Sequence, residues 1–320
     1  MKKQKFAGTV FTLSTVLGWA GAGAASMWTD VNCRGLISQT GHDHVTDLSV
    51  TRWRGGYKMY FKTEDQSTNA GGPERPRPAK RGRVGLGTHP SPPLDAQGRL
   101  NRNRPGPWDN DVLVYRVGSD RAVEKLATFE RAGVPTLARL KDGRLIAAHQ
   151  YFPEQDEANF DKVAVHFSSD EGKSWTSPQV IRLAGLPKGM RFPFDPTLVP
   201  LPDGLLRLYF TSLYGPRFEE DVPAIYSAIS SDGVDYTFEP GMRFGIKGGI
   251  VIDCAVVLHR GVFHLYSPDN GLWRQPGERL GGDAVDLGPR NGVGYHAVSQ
   301  DGLRFTRVDD VRIDGHRQWL

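Results

Sequence analysis

Asp47, Asp195 and Asp253 each stand at the head of an apolar run, in DLSVTRW, DPTLVPL and DCAVVLH. Carboxylates gathered in a partly closed funnel part in their proton affinity, one pKa rising while another stays low. A protonated carboxyl can then give its proton to a departing oxygen while an ionised one activates water or attacks carbon. That is the chemistry of glycosidic bond cleavage, with retention at a carboxyl separation of about 5–5.5 Å and inversion at roughly 6.5–9.5 Å. The competing reading is local, because Asp-Pro and Asp-x-Ser open turns whose side chains cap the nearby backbone. Asp is disfavoured inside strands, so its recurrence ahead of apolar runs is informative. Val134 takes the same place in a sister segment, which indicates that the strand itself does not demand Asp.

The elements that must position these residues form a repeat. VPTLARLKDGRLIAAHQYF from Val134, DPTLVPLPDGLLRLYFTS from Asp195 and DCAVVLHRGVFHLYS from Asp253 share one plan, and DLSVTRWRGGYKMYF from Asp47 is a weaker copy. Each has a short apolar strand, a turn at Asp142-Gly143, Asp203-Gly204, Arg260-Gly261 or Gly55-Gly56, and a second strand rich in aromatic and β-branched residues. The later halves close alike, in SSDEGKSW from Ser168, SSDGVDYTF from Ser230 and SQDGLRF from Ser299. A period of roughly sixty residues suits a four-stranded blade with decorated loops and is too long for a solenoid rung. The expectation is an all-β chain folded as a β-propeller of four-stranded antiparallel blades. Visible blades begin near residues 45, 134, 195 and 253. Either a fifth is built from Met27–Gly41 joined to the C-terminus, or the chain is truncated after HRQWL; an unclosed ring leaves exposed sheet edges. Residues 66–111, dense in Pro, Gly and Arg, read as an irregular insertion. Its Arg75, Arg77, Lys80, Arg81 and Arg83 would suit an anionic glycan or phosphate, although a solvated basic loop is the commoner outcome.

Composition narrows the class. Gly 38 and Pro 22 in 320 residues, with no helical stretch rich in Ala, Leu, Glu and Lys, favour short strands and many turns. Residues 1–25 carry Lys2, Lys3 and Lys5, an apolar run from Phe6 to Trp19 and a small-residue end, the pattern of a secretory signal. A single domain over 26–320 is expected in the periplasm or outside the cell, with no membrane attachment after cleavage. Without its three leading lysines the chain is close to neutral, which gives no general argument for nucleic acid. Cys33 and Cys254 permit a disulfide in an exported protein, and a buried free Cys254 is an equal alternative. No nucleotide, haem or flavin signature is present. His42 and His44 on one extended stretch do not make a transition-metal site, and a structural Ca²⁺ would suit channel carboxylates without being demanded. His149, Glu154, Glu219, Glu220 and His296, read as lying after second strands or before third ones, are further polar candidates for the funnel.

On these residues the chain resembles the five-bladed propeller glycoside hydrolases, which include arabinanases, β-xylosidases, invertases and levansucrases. The resemblance implies Asp47 as base, Asp195 as orienter and Asp253 at the place of a Glu acid, one methylene (on the order of 1.5 Å) shorter. It also implies a carbohydrate substrate and no cofactor; the candidate substrate contacts are His44, Glu220 and His296 from the polar residues around the funnel, and Arg131. A second resemblance is to sialidases. Ser168-x-Asp170-x-Gly172-x-Ser174-Trp175 matches their Asp-box, whose role is to hold a hairpin turn, and Arg131 to Pro135 is similar to their Arg-x-Pro strand. That reading would recruit Arg131 with Arg290 or Arg217 and Tyr295 as nucleophile. The third alternative is a propeller that binds a glycan or protein without catalysis.

Overall fold

The computed structural model describes residues 45–53, 56–63, 107–117, 122–214, 223–246, 250–268, 294–308, 310–313 and 316–317. Residues 1–25, read as a secretory signal, Cys33, His44, most of residues 66–111, read as an insertion, Arg217, Glu220, Arg290 and the Met27–Gly41 stretch lie outside the described residues.

Four antiparallel meanders follow one another along the chain. The first holds β1 (Val45–Trp53), β2 (Gly56–Thr63), β3 (Val112–Val117) and β4 (Val123–Phe129). The second holds β5 (Ala132–Arg139), β6 (Leu145–Tyr151), β7 (Lys162–Ser168) and β8 (Gln179–Val180). Next, β9 (Arg182–Ala184) pairs in parallel with the outer strand of the third meander, which runs β10 (Phe194–Pro200), β11 (Leu206–Ser212), β12 (Ala224–Ser230) and β13 (Asp235–Phe244). The fourth holds β14 (Ala255–His259), β15 (Val262–Pro268), β16 (Gly294–Ser299) and β17 (Thr306–Arg307). Leading strands lie side by side, β5 against β1 and β10, and β10 against β14. Sheets stacked around neighbouring innermost strands make a β-propeller, with four blades among the described residues.

The turns form for the reasons their residues suggest. Gly143 and Gly204 sit at φ 91 and 95, and both Arg260 (φ 50) and Gly261 (φ 82) are left-handed, as a two-residue hairpin turn requires. Apolar clusters fill the gaps between blades: Leu137, Leu145 and Phe129 between the first and second, Ile146, Leu208 and Phe210 between the second and third, Val199, Phe263 and Leu265 between the third and fourth. Every residue of β11 is buried, because blades cover both faces of this strand, and its polar residues Arg207, Thr211 and Ser212 are buried with the rest.

Outer hairpins are held by the Ser-x-Asp turns. Asp170 accepts from the Ser168 hydroxyl (2.9 Å), the Ser174 N–H (2.9 Å) and the Ser174 hydroxyl (2.6 Å), while Trp175 Nε1 donates to the Gly172 carbonyl (3.0 Å). Those bonds favour the charged carboxylate and hold its pKa well below the usual range. The turns at Ser230-Ser231-Asp232-Gly233 and Ser299-Gln300-Asp301-Gly302 repeat the pattern, with Asp301 accepting from the N–H groups of Leu303 and Arg304. Their carboxylates serve the fold.

His149 falls inside β6, not beyond it, because the buried run of that strand continues through Gln150. Its Nε2 lies 2.9 Å from Nε2 of His166, and the two Nδ1 atoms face the carbonyls of Gln150 (2.9 Å) and Thr176 (2.7 Å). Two neutral rings bring two N–H protons to three contacts, and a third proton would have to be carried as charge in the core. Burial opposes that charge first and the neighbouring ring second, and pushes His149 down to about 3 from 6.5. The native state thus refuses a proton that the unfolded chain accepts. This contribution to stability is complete above pH 6.5 and is lost progressively as pH falls toward 3. A slope of about 1.4 kcal/mol per pH unit for each ring held neutral is expected between pH 6.5 and 4.5. Urea unfolding across that window should show it, and His149→Phe should make it shallower; an unchanged slope would remove His149 as the cause.

Candidate active site

Strain marks the strand-leading positions. Val134, Asp195 and Asp253 have φ values of 47, 51 and 71, a left-handed backbone that residues other than glycine seldom adopt. The register of β5 on β6 slips between Gly133 and Thr136, and that of β10 on β11 between Phe194 and Thr197, so each holds a bulge around the residue in question. β1 slips on β2 between Thr46 and Ser49, which places Asp47 in the matching bulge; its side chain is outside the described groups. Asp accepts left-handed geometry more readily than most residues, whereas a β-branched Val there is an outlier. Because Val134 adopts it too, the conformation belongs to the repeat. Bulges of this kind re-aim side chains, and strained backbone concentrates at functional sites.

A polar latch holds the left-handed backbone at Asp195 and at Asp253, and it comes from the penultimate residue of a second strand. The Asp195 N–H donates to Gln150 Oε1 at the end of β6 (3.3 Å), and the Asp253 N–H donates to Thr211 Oγ1 at the end of β11 (2.9 Å). Ser267, equivalent in β15, donates its hydroxyl to the Asp253 carbonyl (2.6 Å). Leading strands are joined by threonines as well: Leu198 N–H donates to Thr136 Oγ1 (3.1 Å), and Thr197 Oγ1 donates to the Cys254 carbonyl (2.5 Å).

Asp195 and Asp253 belong to one electrostatic neighbourhood. The buried Cys254 thiol is without a disulfide partner among the described residues, and its pKa is pushed well above the ordinary value by burial first, with both the Asp253 and the Asp195 carboxylates adding to the rise. A thiol so held is neutral and inert. Iodoacetamide at pH 8 should therefore leave Cys254 unmodified in the native protein and label it after unfolding; rapid native labelling would contradict this environment.

The other candidates are placed as follows. Arg131, itself at φ 52, donates from Nε to the Phe152 carbonyl (2.7 Å) and from Nη1 to Glu154 (3.0 Å), and its N–H donates to Asp111 (2.9 Å). Glu154, read from the sequence as a funnel residue, is thus the partner of Arg131. His296 lies within β16, opposite Tyr266, stacked on that ring at 4.5 Å and with its Nε2 3.1 Å from His264 Nδ1. Tyr295 is buried in the core between the third and fourth blades. Asp161 and Arg191 are not singled out by sequence reasoning; they surround Gln150 and Asp195 and are joined by an ion pair of 2.7 Å. Their signal in the sequence is faint, because both lie in loops whose reach depends on the tertiary fold. Among the described residues no group of three or more His, Cys, Asp or Glu is arranged to hold a metal ion, and no helix is long and apolar enough to cross a membrane.

No family model matches the chain, nor does any curated protein. Solved structures do. An arabinoxylan arabinofuranohydrolase of glycoside hydrolase family 43 from Bacillus subtilis shares 12% identity at a TM-score of 0.53, over 84% of this chain and 53% of its own. The GH43_1 enzyme from Xanthomonas citri, solved with xylose, has 12% identity and a TM-score of 0.52 over 87% of this chain and 79% of its own. Zg3597, a family 117 glycoside hydrolase of Zobellia galactanivorans, has 12% identity and a TM-score of 0.51 over 84% and 70%. Likeness at such identity speaks to the architecture.

Proposed function

We propose that this propeller is an exported glycoside hydrolase, five-bladed when closed, in which Asp47 is the base, Asp195 the orienter and Asp253 the acid. The observation that carries the reading is the shared left-handed backbone of Asp195 and Asp253 at the head of their leading strands, with Asp195 in a bulge of β10 and Asp47 in the corresponding bulge of β1. Innermost strands of a propeller converge on one axis, so equivalent positions on them face a common funnel. Three carboxylates there supply both halves of acid–base hydrolysis, and the reaction so written needs no cofactor. Architectural kinship with family 43 and family 117 hydrolases supports a carbohydrate substrate. Residues 1–25 support export.

In this reading the unlike surroundings of the carboxyls set their roles. Asp195 is buried and Asp253 partly exposed, so substrate and water reach the proposed acid more readily than the orienter. Purified protein should be assayed on a panel of nitrophenyl glycosides and sialosides. Turnover of a neutral sugar is expected. Turnover of sialosides alone would move the site to Arg131, and a folded protein inert on the whole panel would leave a glycan- or protein-binding propeller.

A further inference from the structure

We propose that Asp161 is a positioning residue that sets the backbone at Asp195, acting through the Gln150 side chain. Gln150 spans the second and third blades at their axial end, and it is almost wholly buried. A primary amide has one end that only donates and one that only accepts, and nothing in its shape decides which way round it sits. Asp161 decides it. Its Oδ1 lies 2.6 Å from Gln150 Nε2, and because an ionised carboxylate only accepts, the amide nitrogen must face it. The amide oxygen is thereby turned toward the N–H of Asp195. A flipped amide would set oxygen against carboxylate and NH₂ against N–H, losing both bonds.

The other carboxylate oxygen is used as well. Asp161 Oδ2 accepts from Arg191 Nη2 at 2.7 Å, and the guanidinium centre lies 4.9 Å from the ring of Phe194, the residue before Asp195. The Arg191 backbone is tied back by the Ser212 hydroxyl on its carbonyl (2.7 Å). Asp161 is itself left-handed (φ 61), with its N–H on the Tyr151 carbonyl (2.9 Å). One carboxylate therefore braces both sides of the strained residue, the Gln150 latch and the Arg191–Phe194 approach. The third-to-fourth junction has a simpler device: Thr211 reaches the Asp253 N–H directly and needs no second residue to orient it.

That contrast supplies an internal control. In Asp161→Asn one acceptor oxygen remains for two donors, and the new NH₂ opposes one of them. Amide hydrogen exchange at Asp195, followed by NMR, is expected to quicken by roughly tenfold, a typical effect of one lost hydrogen bond, while exchange at Asp253 stays as in the wild type. Gln150→Leu, which removes the acceptor of the Asp195 N–H, should give the same selective change. Equal acceleration at both amides, no change at either, or loss of the cooperative fold in both variants would overturn the proposal. Its catalytic consequence rests on the hydrolase reading: kcat of Asp161→Asn should fall about tenfold with KM nearly unchanged. Selective exchange with wild-type kcat would refute that consequence. Selective exchange in a protein inert on every glycoside would refute the hydrolase reading and leave the brace standing.

Discussion

Asp253→Ala is expected to lower kcat by about 10²–10⁴-fold on a glycoside with a poorly leaving alcohol, and much less on a dinitrophenyl glycoside. The difference arises because a weakly basic phenolate departs without a proton, so a missing general acid matters little to it. Asp47→Ala removes the proposed base and should slow both substrates together. The contrast tests role as well as presence. Equal losses with both leaving groups in Asp253→Ala would take proton donation away from this residue, and the shorter reach of Asp compared with Glu makes that comparison informative. Asp170→Ala provides a reference, since its carboxylate is engaged in the outer turn of the second blade and faces no strand-leading position. Its kcat should stay near that of the wild type.

The second large effect concerns the fold. Arg207→Ala is expected to destabilise the protein by about 3–5 kcal/mol, the range for removing one partner of a buried ion pair. Arg207 and Glu239 have side chains only 8% and 16% exposed, and they form a two-point pair through Nε (2.9 Å) and Nη2 (3.0 Å). Arg207 also donates from Nη1 to the Asp301 carbonyl, which fastens the third blade to the outer turn of the fourth. Arg243 sits in the same cluster, with Nη1 on the Leu303 carbonyl and Nη2 on the carbonyls of Glu239 and Pro240. Without Arg207, the Glu239 carboxylate keeps the Ser227 hydroxyl (2.6 Å) and loses its bidentate partner in a place that water barely reaches. Denaturant unfolding should show a lower midpoint. Arg207→Met combined with Glu239→Leu should recover much of the loss, because neither charge is then left buried alone. A single variant as stable as the wild type would mean that the cluster relaxes to admit water.

Much of the scaffold is legible in the residues alone. Asp142-Gly143, Asp203-Gly204 and Arg260-Gly261 announce hairpins because left-handed geometry at these places calls for glycine, and the flanking apolar runs become β5, β6, β10, β11, β14 and β15. The Ser-x-Asp-Gly turns are equally readable, since their bonds run between residues two to four apart. What sequence does not reveal is whatever depends on distance along the chain. The left-handed backbone at Val134 is invisible in a residue type that avoids it, and only the repeat alignment hints that Asp195 and Asp253 share it. Arg207 of β11 finds Glu239 of β13 across the intervening β12, and Arg191 finds Asp161 across a blade boundary. His149 reads as a polar residue beyond its strand, because sequence cannot foresee that His166 will satisfy it inside the core. The parallel addition of β9 to β13 is also a tertiary choice, made by a short segment with no alternation to advertise it.

The most direct test of the central claim is kcat/KM on the best neutral glycoside, measured for the wild type beside Asp47→Ala, Asp195→Ala and Asp253→Ala. Cooperative melting of every protein should be verified first. Hydrolysis by the wild type and at least a ~100-fold loss in each variant is the predicted result. Full turnover in any of the three, or a folded wild type that cleaves no glycoside, would contradict it.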